Sequence, residues 1–290
     1  MMSCKQKLFL ETTIQIDRLF EKPTRRKLIY DELSEADCYT CTLVLREFKL
    51  KAILACISLL YIIEENDSDP DIITEISNHF TEKSMLLKIY AEVKREANLE
   101  KSFDKELALA TVRSYIRHRL LLRFEEIISV PLADLTKCEV AHYKVQEFDG
   151  KFYLETHCER GRAQCNLPKI YQDNEDHLKR IKELVENQST LNPKLNRQEK
   201  DEFKRINEVY SDVFDPGKEG WNTVKGQYNC DKLADLTILI ESFDDSAVYT
   251  TDRIYECFYN RLCFPHKKTP KIQEYPRSSG RGKRIGLKAH

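Results

Sequence analysis

The sequence has no apolar run long enough to cross a bilayer. Its greasiest stretch, Ala52 to Ile63, is twelve residues long, where a spanning helix needs about 20. The opening MMSCKQKLFLETTIQIDRLF is broken by Lys5, Lys7, Glu11 and Asp17, so it lacks the continuous apolar region of a signal peptide. Excess charge of one sign is also missing: 47 Lys and Arg stand against 48 Asp and Glu. The chain as a whole is therefore no polycation drawn to nucleic acid, and any basic surface must be local. Tryptophan is reduced to Trp221, which suits a packing anchor better than a base-stacking platform. No internal repeat is present. The ten cysteines do not form a disulfide framework, because a chain of this length can bury a core without staples. Cys38 and Cys41 have CxxC spacing but no second CxxC, and His157, Cys158 and Cys165 lack a fourth zinc ligand. These absences predict a cytoplasmic protein with reduced thiols and no membrane partner.

What is present reads as soluble and globular: 41% apolar and 33% charged residues over 290 positions. Lys7 to Leu10 predicts a buried strand, and Ile14 to Phe20 a helix that Pro23 ends. Lys27 to Leu33 predicts a second short helix. A turn over Ser34 to Asp37 leads into a β-rich run, Cys38 to Thr42. From Leu43 the period becomes helical, with Leu45, Phe48, Ala52, Ala55, Leu59 and Ile62 on one face to about Ile63. The acidic break from Glu64 to Asp71 is a candidate boundary. Helices are expected over Ile72–Phe80, Thr81–Ala97 and Phe103–Ile128. Alternation around Asp149-Gly150 predicts a hairpin near 142–155. Charged helices near Asp176–Glu186 and Arg197–Val213 follow, the second with Asn196 and Glu199 in capping-box spacing. A Pro- and Gly-bearing loop over Asp215–Asn229 forms the second boundary. A helix over Cys230–Ser242, a strand over Ala247–Thr250 and a helix over Arg253–Leu262 complete the pattern. From Pro265 onward, eight Lys or Arg face one Glu, the composition of a flexible basic tail.

Four short segments each place carboxylates at the end of an apolar element. Glu11 follows the strand KLFL, Glu47 lies one turn into the helix after CYTCT, and Asp252 follows the strand AVYT. Asp231 and Asp235 are four apart, on one helical face. Open parallel sheets form their sites beyond the carboxyl ends of the strands, which is where Glu11 and Asp252 fall. Packed carboxylates repel one another unless a cation joins them, and Mg²⁺ and Mn²⁺ prefer such hard oxygen ligands. Ions of this kind activate water for phosphodiester cleavage with no Ser or Cys nucleophile.

The segments LFLETTIQIDRLF, YTCTLVLREF and CDKLADLTILIESFDDSAVYTTD resemble, in order, the motifs of PIN-domain nucleases. The resemblance implies an α/β fold with a PIN-like parallel sheet flanked by helices and a large, mainly α-helical insertion. The expected division is 1–66 and 222–264 for the two parts of the PIN-like domain, 67–221 for the insertion, and 265–290 for the tail. It implies metal ligands at Glu11, Glu47, Asp235 and Asp252, with Asp231 one turn before Asp235 sharing the catalytic cluster. Thr12 and Thr251 are expected to hydrogen-bond neighbouring carboxylates. Two departures stand out: Glu11 occupies a position where the family has Asp, and the stretch between the second and third motifs is far longer than usual.

The implied activity is a Mg²⁺- or Mn²⁺-dependent nuclease, an endoribonuclease first of all. The alternative is a catalytically weak PIN fold used as a nucleic-acid-binding or scaffolding module. RNA is the expected partner ahead of DNA, gripped by Lys267, Lys268, Lys271, Arg277, Arg281, Lys283 and Arg284 of the tail through counterion release. A protein partner on the helical insertion and a homo-oligomer are the further associations considered. A metal-dependent phosphatase lacks its usual nucleophilic Asp motif here.

Overall fold

A five-residue strand, β1 (Gln6–Leu10), forms the centre of a three-stranded parallel sheet. The computed structural model describes residues 6–79, 83–126, 138–155 and 246–250, with isolated positions at 173–176, 179, 183, 204, 234, 237, 238 and 240–242. On one side β1 pairs with β2 (Ala36–Tyr39), Gln6 opposite Ala36; on the other it pairs with β5 (Ser246–Tyr249), Leu10 opposite Tyr249. From Leu8 to Leu10 the central strand is buried on both faces, as strands of parallel sheets usually are, while β2 is partly exposed. Along β1 the side chains alternate. Leu8 and Leu10 pack with Ile14, Ile29, Leu33 and Tyr249, while Phe9 joins the larger cluster with Val44, Phe48 and Val248.

Helix α1 (Thr12–Phe20) starts directly after β1, and α2 (Pro23–Ser34) follows it. Pro23 therefore does two things: it separates α1 from α2 and occupies the first turn of α2, where its missing N–H costs nothing. The strand expected over Cys38–Thr42 lies earlier, at Ala36–Tyr39, because pairing with β1 outweighs the modest β-propensity of Ala36 and Asp37. Cys41 and Thr42 instead open the next helix, with Cys41 at its N-cap.

That helix runs as α3 (Thr42–Phe48), a π-turn (Lys49–Ile53) and α4 (Leu54–Glu65). Ser68 caps α5 (Asp69–Asn78), and α6 (Lys83–Glu96) and α7 (Lys105–Ser114) follow. A second π-turn (Tyr115–Arg119) leads into α8 (Leu120–Glu126). Ile72, Leu86, Val93, Val112 and Phe124 from these helices share one apolar cluster with Phe9 and Val248 of the sheet.

Two buried cations tie later helical segments to the first ones. Arg18 of α1 donates from Nη2 to the carbonyls of Arg123 and Phe124, at 3.0 and 3.1 Å. These are carbonyls of the last turn of α8, where a cation complements the helix dipole. Burial lowers the Arg18 guanidinium to about 10. Lys49 donates to the carbonyls of Ala141 and Tyr143, holding the short 3₁₀ turn Glu139–His142 against the π-turn. Its ammonium is pushed down to about 8, again by burial.

The hairpin consists of β3 (Val145–Phe148) and β4 (Lys151–Leu154), with Phe148 opposite Lys151. Asp149 and Gly150 both adopt positive φ, 52° and 73°, as a two-residue type I′ turn requires. No helix among the described residues is long and apolar enough to cross a membrane. The helices expected over 176–186, 197–213 and 253–262 lie outside the described residues, apart from isolated positions in the first two.

Candidate metal centre

The sheet order β2-β1-β5 places β1 between its neighbours, so the chain leaves β1 toward one side while β5 flanks the other. At such a switch point the carboxyl ends of adjacent parallel strands open a crevice. Here those ends are Leu10 and Tyr249. The Glu11 N–H continues the ladder by donating to the Tyr249 carbonyl at 3.1 Å. Glu11 and Thr250 therefore emerge side by side.

Glu11 is also the N-cap of α1. Its backbone is extended (φ −79°, ψ 164°) and its carboxylate accepts the Thr13 N–H at 2.9 Å. Glutamate is an uncommon cap, but its negative charge suits the positive end of the helix. Three donors meet on the same Oε2: the Thr13 N–H, the Thr13 hydroxyl and the Thr250 hydroxyl, the last at 2.8 Å. The two hydroxyl oxygens lie 3.2 Å apart.

Glu47 reaches the same place from α3. Its Oε2 accepts the Thr12 hydroxyl at 2.5 Å and lies 3.5 Å from the Lys51 ammonium. Adjacent threonines in the first turn of α1 thus hold one carboxylate each. Both carboxylates are buried: Glu11 is 3% exposed and Glu47 7%. Burial raises the Glu11 carboxyl above its ordinary value. The Glu47 charge raises it further, while the Thr13 hydrogen bonds and Lys51 oppose the rise. Burial and repulsion of this kind make the Glu11 carboxylate receptive to a proton or a cation.

Gln15 lies on the Glu11 face of α1, one turn further along. It is fully buried, and neither end of its amide has a hydrogen-bond partner among the described residues. Polar character therefore continues inward from the carboxylates. Cys41, the N-cap residue of α3, is free and buried, and it interacts with Glu241. Burial, then the Glu241 charge, pushes its thiol well up, so it is no reactive thiolate. Cys38, three residues before Cys41, lies in β2, where its thiol donates to the carbonyls of Leu33 and Ala36 at 3.7 and 3.9 Å.

Of the residues expected at the site, Glu11, Thr12 and Glu47 come together. Asp231, Asp235, Thr251 and Asp252 lie outside the described residues, as do the basic positions Lys267, Lys268, Lys271, Arg277, Arg281, Lys283 and Arg284. Thr13, Thr250 and Lys51 were not singled out from the sequence. The pair Thr12-Thr13 after a strand-ending acid was a usable signal for Thr13, and the i,i+4 spacing of Glu47 and Lys51 for the lysine. Thr250 had no local signal, since it meets Glu11 across 239 positions.

The donors fit a hard divalent ion in type: two carboxylates with one oxygen of each oriented by hydroxyls. Among the described residues no group of three or more His, Cys, Asp or Glu gathers as a metal site. Comparison with known proteins returns no match to any family model, curated protein or solved structure.

Proposed function

We propose that the chain is a PIN-like, metal-dependent nuclease, an endoribonuclease that holds Mg²⁺ or Mn²⁺ at Glu11 and Glu47. The observation that carries the proposal is the convergence of two buried acids at the switch point of a parallel sheet, each held by its own threonine. The sequence resemblance adds Asp235 and Asp252 to the ligand set and Asp231 beside them. A divalent ion bound there supplies an activated water and charge stabilisation for the phosphodiester under attack. The chain's own groups do the rest. Thr12 and Thr13 fix the carboxylates, Thr250 holds Glu11 from the end of the neighbouring strand, and the low-dielectric surroundings strengthen the pull between an ionised carboxylate and the ion.

Glu11 already accepts three donors on one oxygen, which favours a second reading in which the site binds nucleic acid without cutting it. The basic segment 265–290 serves either reading as the phosphate-contacting element, and its removal is expected to flatten the salt dependence of RNA binding. The deciding experiment titrates Mn²⁺ against the full chain with labelled single-stranded RNA, and in parallel with DNA. Metal-dependent cleavage supports the nuclease. Binding without cleavage supports the second reading, and the absence of both rejects the site's role in nucleic-acid chemistry.

A further inference from the structure

We infer that Lys51 is the resident cation of the Glu11–Glu47 pair and the side chain that turns to a substrate phosphate when a divalent ion takes its place. The inference rests on the reading of Glu11 and Glu47 as metal ligands. Lys51 lies in the π-turn Lys49–Ile53, a local widening of the helix often found at functional sites. The two lysines of that turn have different surroundings. Lys49 is buried and bonded to the carbonyls of Ala141 and Tyr143, so it serves the fold. Lys51 has a side chain 53% exposed, with its ammonium 3.5 Å from Glu47 Oε2. That oxygen is the one Thr12 orients. The Lys51 charge also acts on Glu11, where it opposes the effect of Glu47.

A lysine and a divalent ion in this position compete for one carboxylate oxygen. The Lys51 ammonium, on a flexible stem already half in solvent, would yield that oxygen to an ion of twice its charge. The displaced charge is drawn to the nearest anion. At a nuclease site that anion is a phosphodiester oxygen of the bound strand, which Lys contacts as a point charge.

The test measures Mn²⁺ binding calorimetrically to the full chain as wild type, Lys51→Met, Lys51→Arg and Glu47→Gln. Met keeps the stem and removes the competitor, so Mn²⁺ affinity should rise roughly fivefold. Arg keeps the charge and should stay near wild type. With Mn²⁺ saturating, Lys51→Met should raise KM for a short single-stranded RNA about tenfold, with a smaller change in kcat. If Lys51→Met binds Mn²⁺ no more tightly than wild type while Glu47→Gln loses binding, the inference on Lys51 falls and the metal reading stands. If folded wild type and Lys51→Met both fail to bind Mn²⁺, both fall.

Discussion

The Thr12 hydroxyl donates a 2.5 Å hydrogen bond to Glu47, 35 positions further along the chain. The bond joins the first turn of α1 to the end of α3. It orients an acid that would otherwise be a buried charge facing a second buried charge. A hydrogen bond to a charged acceptor contributes about 1.5–3 kcal/mol. Thr12→Val keeps the shape and removes the donor, so the unfolding free energy should fall by about 2 kcal/mol. Mn²⁺ affinity should weaken severalfold because Glu47 is no longer oriented. A Thr12→Val isotherm identical to wild type would show that the threonine has no part in metal binding.

Glu11 makes a prediction of the opposite kind. In the folded chain burial holds its carboxyl above the ordinary value of 4.5 that the unfolded chain retains. The stability it contributes is complete below that value and is lost as pH rises through the folded one. Glu11→Gln removes this dependence. Without metal, Glu11→Gln should be at least as stable as wild type near pH 7, and the advantage should shrink on acidification toward pH 4. Added Mn²⁺ should stabilise wild type and leave Glu11→Gln unmoved. Urea midpoints across that range decide it; an advantage that grows with acid has the wrong sign for a raised carboxyl.

The elements legible in the sequence are those set by local chemistry. Lys7 to Leu10 forms a strand within one residue of the expected limits, and Asp149-Gly150 forms the expected turn because Asp and Gly tolerate the positive φ that a type I′ turn needs at both central positions. The helix read from Leu43 to Ile63 is continuous in direction, but its π-turn at Lys49–Ile53 leaves no mark in the hydrophobic period. Glu11 could be named because it directly follows a strand, and Glu47 because it lies on the helix after the next strand, in the segment that resembles the second motif. Their holders divide by distance: Thr12 adjoins Glu11 and could be read, while Thr250 reaches Glu11 only once β5 has paired with β1.

A third prediction concerns how α1 is anchored. Lys88 of α6 bridges Asp17 at 2.9 Å and Glu21 at 2.6 Å, and Arg25 adds a second contact to Asp17 at 3.1 Å. Burial pushes the Glu21 carboxyl up, but the Lys88 hydrogen bond and charge outweigh it, with help from Arg25, and the net shift is downward. The resulting stability is present above pH 4.5 and lost as pH falls through the lower folded value. Lys88→Met should cost about 1 kcal/mol at neutral pH, a modest figure because Lys88 is partly exposed. It should also make the acid limb of the stability curve shallower. An unaltered acid limb would assign Glu21's shift to some other neighbour.

The last prediction tests the acid at the head of α1 through cleavage. Glu11→Gln preserves size and leaves an oxygen for Thr13 and Thr250, so the fold should survive, but the negative charge is gone. Metal-dependent cleavage should fall roughly 10²–10³-fold, as when charge stabilisation of a transition state is lost. Glu11→Asp keeps the charge and shortens the arm by one methylene. Aspartate caps helices well, so its contact with the Thr13 N–H should persist. The reach to Thr250 from the neighbouring strand, now 2.8 Å, should lengthen. A carboxylate released from one of its donors is freer to ligate an ion, so cleavage by Glu11→Asp should equal or exceed wild type. Wild-type cleavage by Glu11→Gln removes Glu11 from the site. Wild type inert with Glu11→Asp active would mean that the extra methylene, by delivering Oε2 to three protein donors, keeps the carboxylate from the metal. The chain would then act by binding nucleic acid, and the threonines that hold Glu11 would be what silences it.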